Sequence, residues 1–232
     1  MSNNNDNYYN WYNKSESLRM FYPSEIVIGF LKNNLKEHSK VLDLGTGSGR
    51  HAILAAELGH DSHGLDLSDN GFDICYEMCR LKKVKAKLFK SYMDNTPFEN
   101  SFFDAVVCIS SIGGNTVIKQ IDIINETFRI LKRGGIFLVN FYGLNDGIYD
   151  IFKNKGVEIE ERTLEINGNL FHSALDESIP NYTRHFSTEE EIENMFSDFS
   201  SIKKFEIYLP FGNANMNENV MPVHHIYVMA RK

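Results

Sequence analysis

Val41-Leu-Asp43-Leu-Gly45-Thr-Gly47-Ser-Gly49-Arg50 decides how this chain folds. An apolar run holding one acid leads into three glycines at alternate positions. An amphipathic stretch follows, and then Gly64-Leu-Asp66-Leu-Ser68. The order reads as strand, glycine-rich turn, helix and strand, with an acid closing the second strand. Glycines in such a turn let the backbone approach a ligand that side chains would hold off, so this is the layout of a nucleotide-type cofactor site.

The spacing narrows the ligand. Dinucleotide sites carry G-x-G-x-x-G, which seats a pyrophosphate on a helix N-terminus. Here Gly45, Gly47 and Gly49 make G-x-G-x-G, and Asp43 precedes them by two residues. A carboxylate there repels a pyrophosphate and favours a cationic amino acid moiety, directly or through water. This spacing disfavours an NAD-dependent enzyme.

On Asp43, Gly45, Gly47, Gly49 and Asp66 the chain resembles the class I S-adenosylmethionine (SAM)-dependent methyltransferases. The resemblance implies a Rossmann-like α/β fold. Its sheet is seven-stranded and mostly parallel, with helices on both faces and an antiparallel C-terminal edge strand. The cofactor implied is S-adenosyl-L-methionine. The loop with Thr46 lines it, Asp66 holds both ribose hydroxyls, and Leu67 packs on the adenine. Ser91 to Phe98 resembles the family's adenine segment. Many relatives have an acid where Tyr92 aligns. Either Asp94 takes the amino-group contact, or Tyr92 and Met93 flank the ring. Ile109 and Ser110 end the fourth strand and face the methionine part. The turn Leu131-Lys-Arg-Gly134-Gly135 is similar to the family's, with Arg133 replacing a proline.

Along the chain, strands are expected at about 40–44, 62–66, 84–89, 102–109 and 131–141. Helices are expected at about 48–58, ending at Gly59, at 70–81, and after Asn115 or Thr116. Ser24 is the expected cap of an earlier helix. Residues 144–186 break the repeat and read as a substrate-facing insertion after the fifth strand, with β-like runs at 157–166 and 170–174. Ser187-Thr-Glu-Glu190 reads as a capping box. An antiparallel pair at 202–209 and 223–230 closes the chain. The expectation is one domain over 1–232, with a lid and helix in 1–36.

A length of 232 residues suits one α/β domain with an insertion. The net charge of −7 and scattered basic residues disfavour a nucleic-acid substrate. The 3 cysteines give neither a disulfide framework nor metal-ligand spacing, and no metal is expected. The polar N-terminus and the lack of a long apolar run point to a cytoplasmic protein without membrane contact.

Methyl transfer from a sulfonium needs orientation and exclusion of water more than a catalytic triad. Candidates for the acceptor side are Tyr142, after the fifth strand, and His172 and His185 in the insertion. Gly113-Gly114 leaves room where relatives place a residue that touches the acceptor. The run Ser15 to Glu25 resembles an opening seen in some small-molecule methyltransferases, with Arg19 meeting the cofactor carboxylate and Tyr12 closing over it. The reading is methyl transfer to an O- or N-centre of a small or sugar-like molecule. The rivals are a SAM-binding regulator or pseudoenzyme and a protein or RNA methyltransferase. Oligomeric state stays open.

Overall fold

The computed structural model describes residues 20–171, 179–211 and 221–232. Tyr12, Arg19 and His172 lie outside these residues, as does most of the run at 170–174. The chain builds one mixed sheet. Strands β1 (Lys40–Leu44), β2 (Asp61–Asp66), β3 (Lys87–Lys90), β4 (Phe103–Cys108) and β5 (Leu131–Gly143) lie parallel in the order β3-β2-β1-β4-β5. Strand β10 (Met221–Arg231) pairs antiparallel with β5 over Ile136–Tyr142, and β9 (Ser201–Phe211) pairs antiparallel with β10. These seven strands are the expected set. The antiparallel strand is internal rather than at the edge, because β9 lies outside it.

Both faces are buried, as parallel strands require. On one face Leu42, Val106, Phe137, Val139 and Phe141 meet Ile123 and Ile124 of helix α4 (Val117–Ile130) and Ile192 of helix α7 (Glu189–Met195). On the other, Val41, Ala105, Val107 and Leu138 meet Val27, Phe30 and Leu31 of α1 (Glu25–Asn34) and Leu54 of α2 (Arg50–Glu57). Alternation along β1 therefore sends Asp43 to the α2 side.

Local chemistry sets the ends. Helix α2 stops in a Schellman arrangement: Gly59 at φ +81° donates to Ala56 and His60 donates to Ala55. Ser68 caps α3 (Asp69–Lys82) by accepting from the Gly71 N–H, and Thr116 caps α4. Ser24 stands at the start of α1, but its side chain makes no capping bond there. The third strand begins three residues later than the alternation suggested.

The stretch 144–186 is organised differently from its pattern. Helix α5 (Gly147–Lys155) leads into a hairpin, β6 (Val157–Glu160) and β7 (Thr163–Ile166), where one β-like run was expected. Arg162 takes a left-handed φ of +58° at the turn. Residues 168–171 form a short helix, α6 (Gly168–Phe171), instead of a strand start. Strand β8 (Tyr182–Ser187) pairs antiparallel with β7 and parallel with β5 at Tyr142 and Gly143. Because β10 holds one edge of β5 as far as Tyr142, β8 takes the other, past the last β4 partner at Val139. The small sheet β6-β7-β8 thus stands over the C-terminal end of β4, and β8 packs on the 3-10 turn Ile112–Gly114. The cap of α7 is Thr188, accepting from Glu191 N–H at 3.1 Å. Ser187 belongs to β8, so the cap lies one residue later than the expected capping box, and the Glu191 carboxylate bonds Arg162 and His185 instead of the Thr188 N–H.

Candidate functional site

The glycine turn sits at the C-terminal ends of β1 and β4, where open α/β sheets bind ligands. Gly45, Gly47 and Gly49 take positive φ of 76°, 53° and 85°. A Cβ on Gly45 would lie 2.5 Å from Ser111 Oγ, and one on Gly49 would lie 2.1 Å from Cys75 Sγ. Gly71 of α3 is as tightly placed: its Cβ would meet the Gly47 carbonyl at 2.5 Å. The turn is therefore wedged against the side chains of Ser111 and Cys75 and against the backbone of α3 at Gly71.

Two carboxylates hold that shape. Asp43, 3% exposed, accepts from Thr46 Oγ1 at 2.7 Å and from Ala52 N–H at 3.1 Å. Its other oxygen lies 3.7 Å from His51 Nδ1, and His51 Nε2 accepts from the Ser24 N–H at 3.3 Å. Asp43 thus fastens the turn to α2, and through His51 to the start of α1. Replacing Asp43 with Ala strands two buried donors, and should cost about 2–3 kcal/mol of stability. Urea unfolding measures this. The second carboxylate, Asp66, accepts from Gly47 N–H at 2.7 Å, Leu67 N–H at 2.8 Å and Ser68 N–H at 2.9 Å. Burial raises the Asp66 carboxyl above its usual range, against the pull of those three N–H groups. A bidentate carboxylate has lone pairs left for further donors.

On the neighbouring wall, Met93 packs into the core, with Sδ 3.4 Å from where a Gly45 Cβ would be. Tyr92 is half exposed. Asp94 pairs through one oxygen with Lys119, while its other oxygen is buried without a partner among the described residues. Ile109 is buried, and Ser110 turns out of β4 at φ +59°. The Ser110 N–H donates to Asn140 Oδ1 at 2.7 Å, and Ser111 Oγ donates to the Gly45 carbonyl at 3.1 Å.

The acceptor-side candidates separate. Tyr142 lies beside this site: a Cβ on Gly113 would be 2.6 Å from its ring, and the Arg184 guanidinium lies 4.1 Å from the ring centre. His185 does not face it. His185 is fully buried, with Nδ1 2.7 Å from Thr163 Oγ1 and Nε2 2.8 Å from Glu191 Oε2. Both ring nitrogens serve the joint between β7, β8 and α7, so His185 is withdrawn as a catalytic candidate. Sequence reading missed Ser111, His51 and Asn140. Each bonds a group 27 to 66 residues away in the chain, a link that no local spacing marks.

Residues 20–22 cross the outer end of the turn. Ser48 Oγ lies 3.5 Å from the Met20 carbonyl, and Arg50 Nη1 donates to the Tyr22 carbonyl at 3.2 Å. Among the described residues no group of three or more His, Cys, Asp or Glu is placed to hold a metal ion, and no helix is long and apolar enough to cross a membrane.

The parallel sheet order, the bare glycine cradle and the carboxylate at the end of β2 define a doubly wound α/β protein built to hold a nucleoside-type ligand. Residues 41–135 match the family described as "Methyltransferase domain". That match spans less than half of the chain, and over it the chain is similar to a methyltransferase domain. The residues present fit S-adenosylmethionine: one Asp94 oxygen is buried with no partner among the described residues, and the turn admits no Cβ at Gly45 or Gly49.

Among curated relatives, a ribosomal protein L11 methyltransferase of Aquifex aeolicus is 39% identical over 85 residues, 36% of this chain and 34% of that protein. The enzyme of the same name from Dictyoglomus turgidum is 30% identical over 148 residues, 62% of this chain and 46% of that protein. The chain thus spans about a third to a half of the length of these relatives. A SAM-dependent methyltransferase structure from Methanosarcina mazei shares the fold at TM-score 0.71 and 19% identity, covering 91% of this chain and 98% of that one. One from Thermotoga maritima gives TM-score 0.63 at 18% identity, covering all of both chains.

Proposed function

We propose that this chain transfers the methyl group of S-adenosylmethionine to an oxygen or nitrogen of a small molecule. The observation that carries the reading is the cradle, backed by the buried Asp43 and the half-buried Asp66 carboxylates and roofed at its acceptor end by the small sheet and Gly113. A roof of that kind suits a compact acceptor better than an extended polymer.

Bound SAM supplies a methyl group already activated by its sulfonium charge. The protein's tasks are then to orient and to exclude water. Asp66 binds the ribose hydroxyls with its free lone pairs. Leu67 and Met93 flank the adenine, with Tyr92 at the rim, and the unpartnered Asp94 oxygen takes the amino group. Gly45, Thr46 and Gly47 present backbone to the amino acid part, with Gly49 turning the chain into α2. Asp43 acts through the turn it fastens, and its buried charge favours a cationic ligand. Ile109 and Ser110 meet the methionine chain. Residues 144–186 supply acceptor contacts, with Tyr142 at their base.

Calorimetric titration tests the cofactor part. SAM and S-adenosylhomocysteine (SAH) should bind in the micromolar range and NADH should not. Failure of both to bind overturns the reading. The L11 methyltransferase relatives favour a second reading, in which the acceptor is a protein. The exposed Val157 and Ile159 of β6, near Ile118 of α4, would then form the docking surface. Transfer of labelled methyl to ribosomal protein, and to none of a panel of small hydroxylated or amino compounds, would favour it.

A further inference from the structure

Beyond the cofactor cradle, two side chains on adjacent strands hold buried polar atoms with no partner among the described residues. Asn140, on β5, is 2% exposed. Its Oδ1 accepts from the Ser110 N–H, which fixes the amide orientation, and its Nδ2 has no partner among the described residues. On β10, both ring nitrogens of His225 are buried and also lack a partner there. Cross-strand partners share a face, and the pairs here are Asn140 with Tyr227 and Tyr142 with His225. Asn140 and His225 are therefore diagonal neighbours on one face, at a typical separation of roughly 7 Å. A buried donor or acceptor left unpaired costs about 1–3 kcal/mol, so two in one place call for a ligand.

The position is specific. Asn140 bonds Ser110 at the end of β4, next to the cradle. The walls are aromatic. Tyr142 meets the His225 ring edge-on at 5.2 Å, Tyr227 does so at 6.1 Å, and Phe186 lies 6.3 Å from Tyr142. The Arg184 guanidinium covers the Tyr142 ring.

Resting on the methyltransferase reading, we propose that Asn140 and His225 form the acceptor subsite and that it takes an acidic hydroxyl on a planar ring, a phenol or an enol. A hydroxyl both accepts and donates one hydrogen bond. It complements an unpaired N–H of Asn140 and an unpaired nitrogen of a neutral imidazole. Burial, then the charges of Arg184 and His224, lower the His225 pKa to about 4, so the ring is neutral at pH 7. The Arg184 guanidinium favours negative charge developing on oxygen and disfavours an ammonium. In the step, the hydroxyl oxygen bonds to the methyl carbon as the carbon–sulfur bond breaks, and that bond's electron pair stays on sulfur. The hydroxyl proton passes to a His225 ring nitrogen and from there to water. A base this weak takes the proton only as the new bond forms, which is why an acidic hydroxyl fits.

The test uses the full chain saturated with SAH, with ring-labelled histidine and side-chain-labelled asparagine followed by NMR. The His225 signals are assigned by their loss in His225→Gln. Catechol and phenol should shift both the His225 ring and the Asn140 amide, while a methyl glycoside and 2-phenylethylamine should not. With methyl-labelled SAM, methylation of the better phenol should fall about 100-fold or more in His225→Gln. SAH affinity should change less than twofold. Asn140→Asp, which keeps the acceptor for Ser110 and removes the donor, should lower kcat more than it raises KM. Intact SAH binding with no phenol contact at either residue overturns this inference alone. Loss of SAH binding in the wild-type chain overturns the cofactor reading instead.

Discussion

Replacing Asp66 with Ala should weaken SAH binding at least 100-fold, measured by calorimetry. Two charge-assisted bonds to ribose hydroxyls at about 1.5 kcal/mol each already amount to two decades in affinity. The carboxylate also accepts the Gly47, Leu67 and Ser68 N–H groups, so its loss loosens the turn that the ligand rests on. Asp66→Asn keeps one acceptor oxygen and should lose less. The pH dependence has a definite sign. Burial raises the Asp66 pKa, so the carboxylate takes up its proton at a higher pH than an ordinary aspartate. Affinity should hold above that pKa and fall as pH drops through it, before an exposed aspartate would titrate. An affinity unchanged in the Ala variant would remove Asp66 from the site.

The second large effect is on stability. Gly49 and Gly134 both sit at positive φ, +85° and +77°. A methyl on Gly134 meets nothing within 4 Å, while one on Gly49 would be 2.1 Å from Cys75 Sγ and 2.7 Å from Cys75 Cβ. Gly134→Ala therefore carries the left-handed backbone penalty alone, about 1–2 kcal/mol. Gly49→Ala adds overpacking between the turn and α3, a further 1–3 kcal/mol. Denaturant midpoints should rank wild type, Gly134→Ala, Gly49→Ala in falling order. Equal losses in the two variants would mean that α3 yields freely and the turn is not wedged.

The cradle was legible because its parts are consecutive. Gly45, Gly47 and Gly49 need no partner to be recognised, and Asp43 and Asp66 lie at fixed offsets from them. The parallel strands followed from the βα alternation, while their order came only with the structure. What escaped reading depends on distant partners. Strand β8 joins β5 through only two residue pairs, Tyr142–Phe186 and Gly143–Ser187, so no long pattern announces it. The β6–β7 turn uses Arg162 at positive φ where a reader looks for Gly or Asn. His185 looked like a base because a histidine's chemistry is visible in sequence. That both its nitrogens are spent on Thr163 and Glu191 is not. Asn140 had the opposite fault: it is a single polar residue in a buried strand, and its importance is a property of Ser110 and β10.

The contact of Cys75 with Gly49 has a use of its own. All three thiols are free and buried, and burial pushes those of Cys75 and Cys108 far above the ordinary range. A maleimide added to the folded protein can reach them only during openings, so its uptake is a clock. Cys75 times the parting of α3 from the glycine turn, and Cys108, inside β4, times breakage of the whole sheet. A ligand seated on the turn would slow the first clock by raising the energy of a local opening. The second would slow with it only if the two regions open as one cooperative unit. Read side by side in one labelling reaction, the two rates distinguish a cradle that breathes on its own from one fused to its scaffold.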